Sequence, residues 1–306
     1  MIGEPVKPEK VSGSKKTKTI DSLIRRSAVQ LAQAGIENSL NESRLLLEAA
    51  TGIGLKEQLV RPDRNLNDNQ VQVFNKYIEL RRERTPFAYI TGQREFYGRT
   101  FQVENCLIPR PETELLIELV LNNKNKWFSA NPRILELCTG TGCLGITLYL
   151  ELKTEFAEPD ILLTDISQEA IATCKANIGQ YCESGSKIDA VIADLFPEPQ
   201  KYDLIIANPP YVKREDIEQL ESDIFEYEPH LALDGGSDGL DFYRRIANEI
   251  NPFLSETGST VLILEHGTGQ REAIKQIIAE TNLKTEKIIE IDDYQKLDRV
   301  LGFIIE

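Results

Sequence analysis

In the second half of the chain the apolar run Leu204, Ile205, Ile206, Ala207 gives way to Asn208, Pro209, Pro210, Tyr211. A short β-rich run closed by two prolines reads as a buried strand halted at its carboxyl end, because proline has no N–H to continue a ladder. Ligands of open α/β sheets sit at the carboxyl ends of strands, so these four residues are expected to face a pocket. The side-chain carbonyl of Asn208 and the backbone carbonyl of Pro209 supply two acceptors, and Tyr211 supplies a flat face for stacking. Two acceptors and a face suit a planar nitrogen with two hydrogens, an amide or an amino group. They would also stabilise positive charge growing on that nitrogen during alkylation. Asn208, Pro209 and Tyr211 are therefore the expected catalytic residues, and Asn208 to Tyr211, Pro210 included, the expected substrate contacts. The plain alternative is a turn that caps a strand, since Asn-Pro often initiates one.

A second constellation lies upstream. The run Glu136, Leu137, Cys138, Thr139, Gly140, Thr141, Gly142 leaves a predicted strand, and Gly145 follows one turn into a helix. Glycines at 140 and 142 permit a tight turn and close approach of a ligand to the helix start. Asp165 ends the next strand, placed to accept from both hydroxyls of a ribose. Asp194 ends the one after, placed to accept from an adenine amine, with Leu195 and Phe196 as apolar neighbours of the ring. So many acids would repel a pyrophosphate and attract the amino and sulfonium groups of S-adenosyl-L-methionine. The expected cofactor site is thus Glu136, Cys138, Thr139, Gly140, Thr141, Gly142, Asp165, Asp194, Leu195 and Asn208, with no metal. Three acids that merely cap helices are the alternative.

The elements that must position these residues alternate. Candidate strands are Arg133 to Leu137, Asp160 to Asp165, Ile188 to Ala193, Tyr202 to Asn208, Ser259 to Glu265, Lys287 to Ile291 and Arg299 to Ile305. Helices are expected at Gly142 to Leu152, Gln168 to Glu183, Leu240 to Glu249 and Gln270 to Thr281. Strands separated by helices predict an α/β fold with a mostly parallel, doubly wound sheet over residues 105–306. Upstream, residues 20–85 read as a small helical domain: one helix from an Asp21 or Ser22 cap to Gly35, a second over Glu42 to Thr51, a third from Asn67 or Asp68 to Arg84. It shows no catalytic constellation and reads as a docking module. Pro86 breaks the helical period, and the β-leaning runs Phe87 to Thr91 and Glu95 to Val103, around Gly92 and Gly98, predict a hairpin linker over 86–104. Arg81, Arg82, Arg84, Arg94 and Arg99 concentrate positive charge there, as a solvated face or as a receiver of an anionic segment. The 209–240 stretch, with Glu226, Glu228, Pro229, Gly235 and Gly236, is open between a substrate-facing loop and a connector.

Composition narrows the class. The 306 residues are 41% hydrophobic, enough for a full core, and 49 acidic against 35 basic residues give a net charge of −14. That balance disfavours binding through non-specific phosphate contacts, so neither nucleic acid nor membrane is an expected partner. Five cysteines without a C-x-x-C pair, and two histidines, indicate neither a disulfide framework nor a zinc site. No apolar run approaches the ~18 residues of a membrane span. The first twenty residues hold five lysines and no apolar run, which predicts a solvated, flexible tail over 1–19, not a secretory signal. A cytoplasmic monomer is the expectation.

In this order the glycine loop, Asp165, Asp194 and the Asn208 to Tyr211 tetrad resemble the class I S-adenosylmethionine-dependent methyltransferases that modify exocyclic or amide nitrogens. With Pro86, Tyr89, Thr91, Gly92, Glu95, Phe96, the segment Ile108 to Glu114, and Glu265, His266, Gly267, the chain is similar to the protein-(glutamine-N5) methyltransferase family of peptide chain release factors, from about Asp21 to its carboxyl end. Glu136 stands where that family usually has aspartate, and Leu195 where relatives often carry an aromatic. The resemblance implies a seven-stranded class I methyltransferase sheet. It also implies that Asn208 and Pro209 hold the glutamine amide of a Gly-Gly-Gln loop while the helical domain and hinge grip the release factor. Direct in-line displacement would need no general base, and His266 reads as structural. A ribosomal-protein glutamine acceptor, or an adenine-N6 nucleic-acid activity sharing the tetrad, are the alternatives.

Overall fold

The computed structural model describes residues 18–128, 130–256 and 258–306. The chain divides into two compact units, one ending at Thr91 and the other spanning Gly92–Glu306. All of the predicted tail except Lys18 and Thr19 lies outside the described residues.

The first unit is helical: α1 (Ile20–Gln33), α2 (Ser39–Thr51), α3 (Leu55–Val60), α4 (Asp68–Arg82) and α5 (Phe87–Thr91). Its core is Ile20, Leu23, Leu31, Leu46, Leu47, Phe74 and Ile78. α1 starts one residue before the first predicted cap. Its leading N–H groups need no side chain, since Ile20 N donates to Arg64 O at 3.0 Å and Asp21 N to Pro62 O at 2.9 Å. Asn67 does cap α4, accepting from Gln70 N at 2.9 Å while Gln70 Oε1 accepts from Asn67 N at 3.1 Å, a reciprocal box. The prediction of β structure over Phe87 to Thr91 is corrected. Pro86 lacks an N–H that a helix start does not use, its carbonyl accepts from Tyr89 and Ile90 N, and the resulting turn of α5 buries Ala88 and Ile90. Three of the clustered arginines are ion-paired within the chain: Arg81 with Glu42, Arg82 with Glu79, and Arg99, in the second unit, with Glu151.

The second unit opens with the hairpin of β1 (Gln93–Phe96) and β2 (Arg99–Gln102), turned by Tyr97 and Gly98 at φ 49° and 69°. The predicted hairpin partners thus shift, both strands lying after Gly92. The hairpin is fastened to the sheet domain. Fully buried Asn177 accepts from Gln102 N at 2.8 Å and donates to Gln102 O at 3.0 Å and to Thr141 O at 2.9 Å.

Then come α6 (Glu114–Trp127), β3 (Arg133–Leu137), α7 (Cys143–Leu152), β4 (Asp160–Asp165), α8 (Gln168–Tyr181), β5 (Ile188–Ile192), β6 (Leu204–Ala207), α9 (Ser222–Phe225), α10 (Asp241–Glu249), β7 (Thr260–Glu265), α11 (Arg271–Ala279), β8 (Thr285–Asp292) and β9 (Asp298–Ile305). The seven main strands run in the order β5-β4-β3-β6-β7-β9-β8, parallel except for β9, which is antiparallel to both neighbours. Side chains alternate between two apolar layers. Leu204 and Ile206 join Leu116, Ile146 and Leu163 on one face, whereas Ile205 and Ala207 join Tyr243, Ile246 and Ile274 on the other. Burial on both faces is why β6 reads as an unbroken apolar run. Strand order reverses between β3 and β6, which pair up to Leu137 and Ala207. The next residues, Cys138 and Asn208, stand at that switch point, where doubly wound sheets bind ligands.

Candidate active site

The loop leaving β3 winds through left-handed conformations at Cys138, Gly140 and Gly142, φ 57°, 54° and 78°. A Cβ on Gly142 would stand 2.6 Å from Cys174 Sγ, so the turn requires glycine on space as well as on φ. Glu136 is 3% exposed beneath the loop and accepts from Gly145 N, in the first turn of α7, at 2.8 Å. Burial pushes its pKa up to about 8. That bond latches β3 to α7, and burial disfavours the charged form expected to face the ligand, while the side chain still lines part of the site. A Cβ on Gly145 would collide with Leu163 Cδ2 and Glu136 Oε2, which accounts for that glycine.

Asp165, at the end of β4, accepts from Gly140 N and Ser167 N, each at 2.9 Å, and so ties the glycine loop to the start of α8. Asp194 has one oxygen on Arg245 Nη1 at 2.9 Å, with its side chain 58% exposed. Leu195 is buried with φ 64°, its carbonyl accepting from Thr164 Oγ1 at 2.8 Å. Phe196 is not on the ligand side. Its ring stacks on Phe253 with centroids 4.5 Å apart, which corrects its expected place beside an adenine.

These residues enclose a cavity of about 700 Å³, open mouth included, lined by Gly140, Asp165, Ile166, Asp194, Leu195 and Asn208 among others. A second chamber of about 380 Å³ shares Leu107, Cys138, Gly140 and Asn208 with the first and is walled by Arg110, Thr113, Glu136, Thr139 and Thr141. Asn208 therefore belongs to both. Its Nδ2 donates to Thr113 Oγ1 at 3.1 Å, and Thr113 in turn donates to Glu265 Oε2 at 2.7 Å.

The rest of the tetrad divides. Pro210 lines the larger cavity, whereas Pro209 is buried and Tyr211 half-buried, and neither lines either chamber. An open stacking face at Tyr211 is thus not what the fold presents. Its ring lies against Gly267, where a Cβ would stand 3.2 Å from Cδ2, and burial, aided by the Glu265 charge, pushes the phenol up to about 12. The tetrad's backbone is braced from behind. Tyr211 O accepts from Gln270 Nε2 at 2.9 Å, Val212 N donates to Leu233 O at 3.0 Å, and Gly235 N donates to Val212 O at 2.8 Å. His266 is fully buried, its Nδ1 2.9 Å from Gly267 O, and burial lowers its pKa.

Two straps cross the site, one unmarked in the sequence and the other within the stretch left open between a substrate-facing loop and a connector. Asn105, Cys106 and Leu107 form one wall of the larger cavity, and Pro229, Leu231 and Ala232 another. The 209–240 stretch thus faces the site. Glu228, its side chain 1% exposed, joins the straps: Oε1 accepts from Arg110 Nη2 at 2.6 Å and Oε2 from Ile108 N at 3.4 Å. The sequence signal for these contacts was only a charged residue set among aromatic and proline neighbours in Tyr227, Glu228, Pro229.

Comparison with known proteins agrees with this layout. Residues 22–92 match the PrmC N-terminal domain and residues 111–237 the methyltransferase small domain. A release factor glutamine methyltransferase of Clostridium acetobutylicum is 32% identical over 292 residues, covering 92% of this chain and 96% of that protein. One of Geobacter sulfurreducens is 33% identical over 288 residues, covering 93% and 96%. A bifunctional methyltransferase of Rickettsia typhi is 33% identical over 302 residues, covering 92% of this chain, which spans only 57% of that longer relative. Among solved structures, the human METTL16 catalytic domain in complex with a MAT2A 3'UTR hairpin superposes with TM-score 0.51 at 16% identity, over 78% of this chain and 82% of that one, a likeness of fold.

Proposed function

The chain belongs to the release factor glutamine methyltransferase family, and we propose that it transfers a methyl group from S-adenosyl-L-methionine to the side-chain amide nitrogen (N5) of the glutamine in the Gly-Gly-Gln loop of peptide chain release factors. The observation that carries this reading is the position of Asn208 on the wall shared by two adjoining chambers. The larger chamber carries the acids and apolar walls that a nucleoside calls for, and the acceptor polar group stands where the methyl and an amide nitrogen would meet.

The residues present fit the methyl donor. Gly140 and Gly142 bring bare backbone to the cavity, Asp165 offers carboxylate lone pairs beyond its two backbone bonds, and Asp194 offers the oxygen not engaged by Arg245. Leu195 and Ile166 supply apolar walls. Cys138, Thr139 and Thr141 would border the donor's amino-acid end, with Glu136 holding the loop from beneath. S-adenosyl-L-methionine supplies, when bound, a methyl group on a positively charged sulfur.

The chain's part is alignment and electrostatics. A carboxamide nitrogen is a poor nucleophile because its lone pair is delocalised. Asn208 Oδ1 would accept from one of its N–H groups, hold its plane across the line of attack, and stabilise positive charge as the new N–C bond forms and the S–C bond breaks. The nitrogen then loses a proton to water, and a thioether leaves. Pro210 and Tyr211 keep that corner rigid. The helical unit ending at Thr91 is the proposed docking module for the release factor, with no nucleic acid required.

Incubation with labelled methyl donor and either release factor or duplex DNA, followed by mass spectrometry, tests the reading. Label on the glutamine of the Gly-Gly-Gln loop is expected. Label on DNA alone, or wild-type turnover by an Asn208→Ala variant that still binds the donor, would sink it.

A further inference from the structure

An asparagine amide has two nearly isosteric orientations, one presenting oxygen and the other NH₂. Which one Asn208 adopts is decided by a chain of groups that lie in segments carrying the family resemblance but to which the resemblance gave no role. β6 and β7 pair up to Ala207 and Leu264, so Asn208 and Glu265 leave neighbouring strands side by side. Thr113, 4% exposed in the 3₁₀ turn before α6, sits within bonding distance of both. A threonine hydroxyl has one proton. Here it goes to Glu265 Oε2 at 2.7 Å, so the lone pairs must receive the Asn208 atom 3.1 Å away, and that atom must be Nδ2. Oδ1 is left as the end of the amide that can accept.

We propose that Thr113 and Glu265 are positioning residues for methyl transfer: the carboxylate directs the threonine hydroxyl, and the hydroxyl fixes Asn208 with Oδ1 turned to the incoming amide N–H. In the other orientation an NH₂ group would meet the substrate's NH₂, donor against donor, beside a nitrogen becoming positive. The relay is anchored at its far end, where Tyr243 OH donates to Glu265 O at 2.8 Å. Around the Glu265 carboxyl lie the charges of Arg299, Arg110 and Glu112, the phenols of Tyr211 and Tyr243, and the adjacent His266 ring. The inference rests on the function proposed above.

Thr113→Val keeps the shape and removes the hydroxyl, while Thr113→Ser restores it. With release factor as acceptor, Thr113→Val should lose about 10- to 100-fold in kcat, the effect of one misdirected hydrogen-bonding group at a developing charge. Donor affinity and thermal midpoint should stay near wild type, and Thr113→Ser should recover kcat to within about threefold of wild type, a difference of less than ~1 kcal/mol. Burial holds Glu265 up to about 7, so wild-type kcat should climb with pH through neutrality as the carboxylate forms, and Thr113→Val should lack that limb. Should the valine variant not fold, Thr113→Ala takes its place. A hydroxyl-free variant with wild-type kcat, or a serine variant as slow as valine, overturns the relay alone. Wild-type protein that leaves the glutamine unmethylated overturns the function and the relay with it.

Discussion

Glu228 and Arg110, 118 positions apart, form an ion pair of 2.6 Å that closes one strap of the site on the other. The carboxylate side is fully enclosed, at 1% exposure, and the guanidinium is 29% exposed. Burial raises the Glu228 pKa and Arg110 acts against that rise. Arg110→Met removes the opposing charge and leaves a carboxyl inside. Its cost is expected at about 2 kcal/mol, below the ~3–5 of a fully buried pair because Arg110 reaches water. Since the orphaned carboxyl is tolerated only when protonated, the deficit relative to wild type should grow as pH rises from 5 to ~8. Urea denaturation of both proteins across that range measures it, and a pH-independent deficit would mean that packing alone was lost.

Asn177 makes a second long-range prediction. Its side chain serves the hairpin through Gln102 and the glycine loop through Thr141 O. Asn177→Leu would leave Thr141 O without its partner in a buried place and the Gln102 groups without theirs in a partly buried one, and should cost about 2 kcal/mol. Hydrogen exchange should show faster opening at both β2 and the loop. Loss confined to the hairpin would mean that the Thr141 contact carries little.

How much of this was legible in the sequence follows from the range of the interactions. β6 and its stop at Asn208 were readable because burial on both faces demands apolar residues and the prolines end the ladder, all within eight positions. The acids at the ends of β3, β4 and β5 were readable for the same local reason. Phe87 to Thr91 was misread as β because its side chains favour strands, while burial of Ala88 and Ile90 and the free start offered by Pro86 decide for helix. Glu136 was readable as an acid but not as a buried one, since its partner Gly145 lies across a turn whose shape only the fold sets. Asn177 gave no signal, and Thr113 and Glu228 were legible as members of their segments but not in their roles, because each takes its role from residues roughly 30 to 150 positions away.

Gly235 tests whether the tetrad's backbone must be held where it is. A Cβ there would stand 2.8 Å from both Pro210 O and Tyr211 Cα, contacts that only a backbone shift can relieve. Gly235→Ala should cost about 1–2 kcal/mol in stability. It should lower kcat by ~10- to 100-fold, since displacement of an aligning group by about 1 Å costs up to that much. Donor affinity, set mainly by the loop and Asp165, should change little. Steady-state kinetics beside calorimetric titration with the donor would separate the two, and parallel loss of both would place the damage in the cavity as a whole.

Glu136 gives a pH dependence with a definite sign. In the unfolded chain it titrates near the ordinary ~4.5, and in the folded chain at about 8. Between those values the folded protein binds one more proton, so this group stabilises the fold most below pH ~4.5 and that contribution is lost as pH rises through about 8. Glu136→Gln retains an oxygen for Gly145 N and cannot titrate. The variant should match wild type near pH 5 and be the more stable of the two at pH 9. Glu265, held up to about 7, titrates in the same window, yet it is present in both proteins and cancels in their difference. Unfolding free energies of the two proteins without donor, at several pH values, read that difference directly. Parallel curves would mean that Glu136 is ionised in the fold, and the electrostatic pull on a cationic donor first read from the sequence would then return to it.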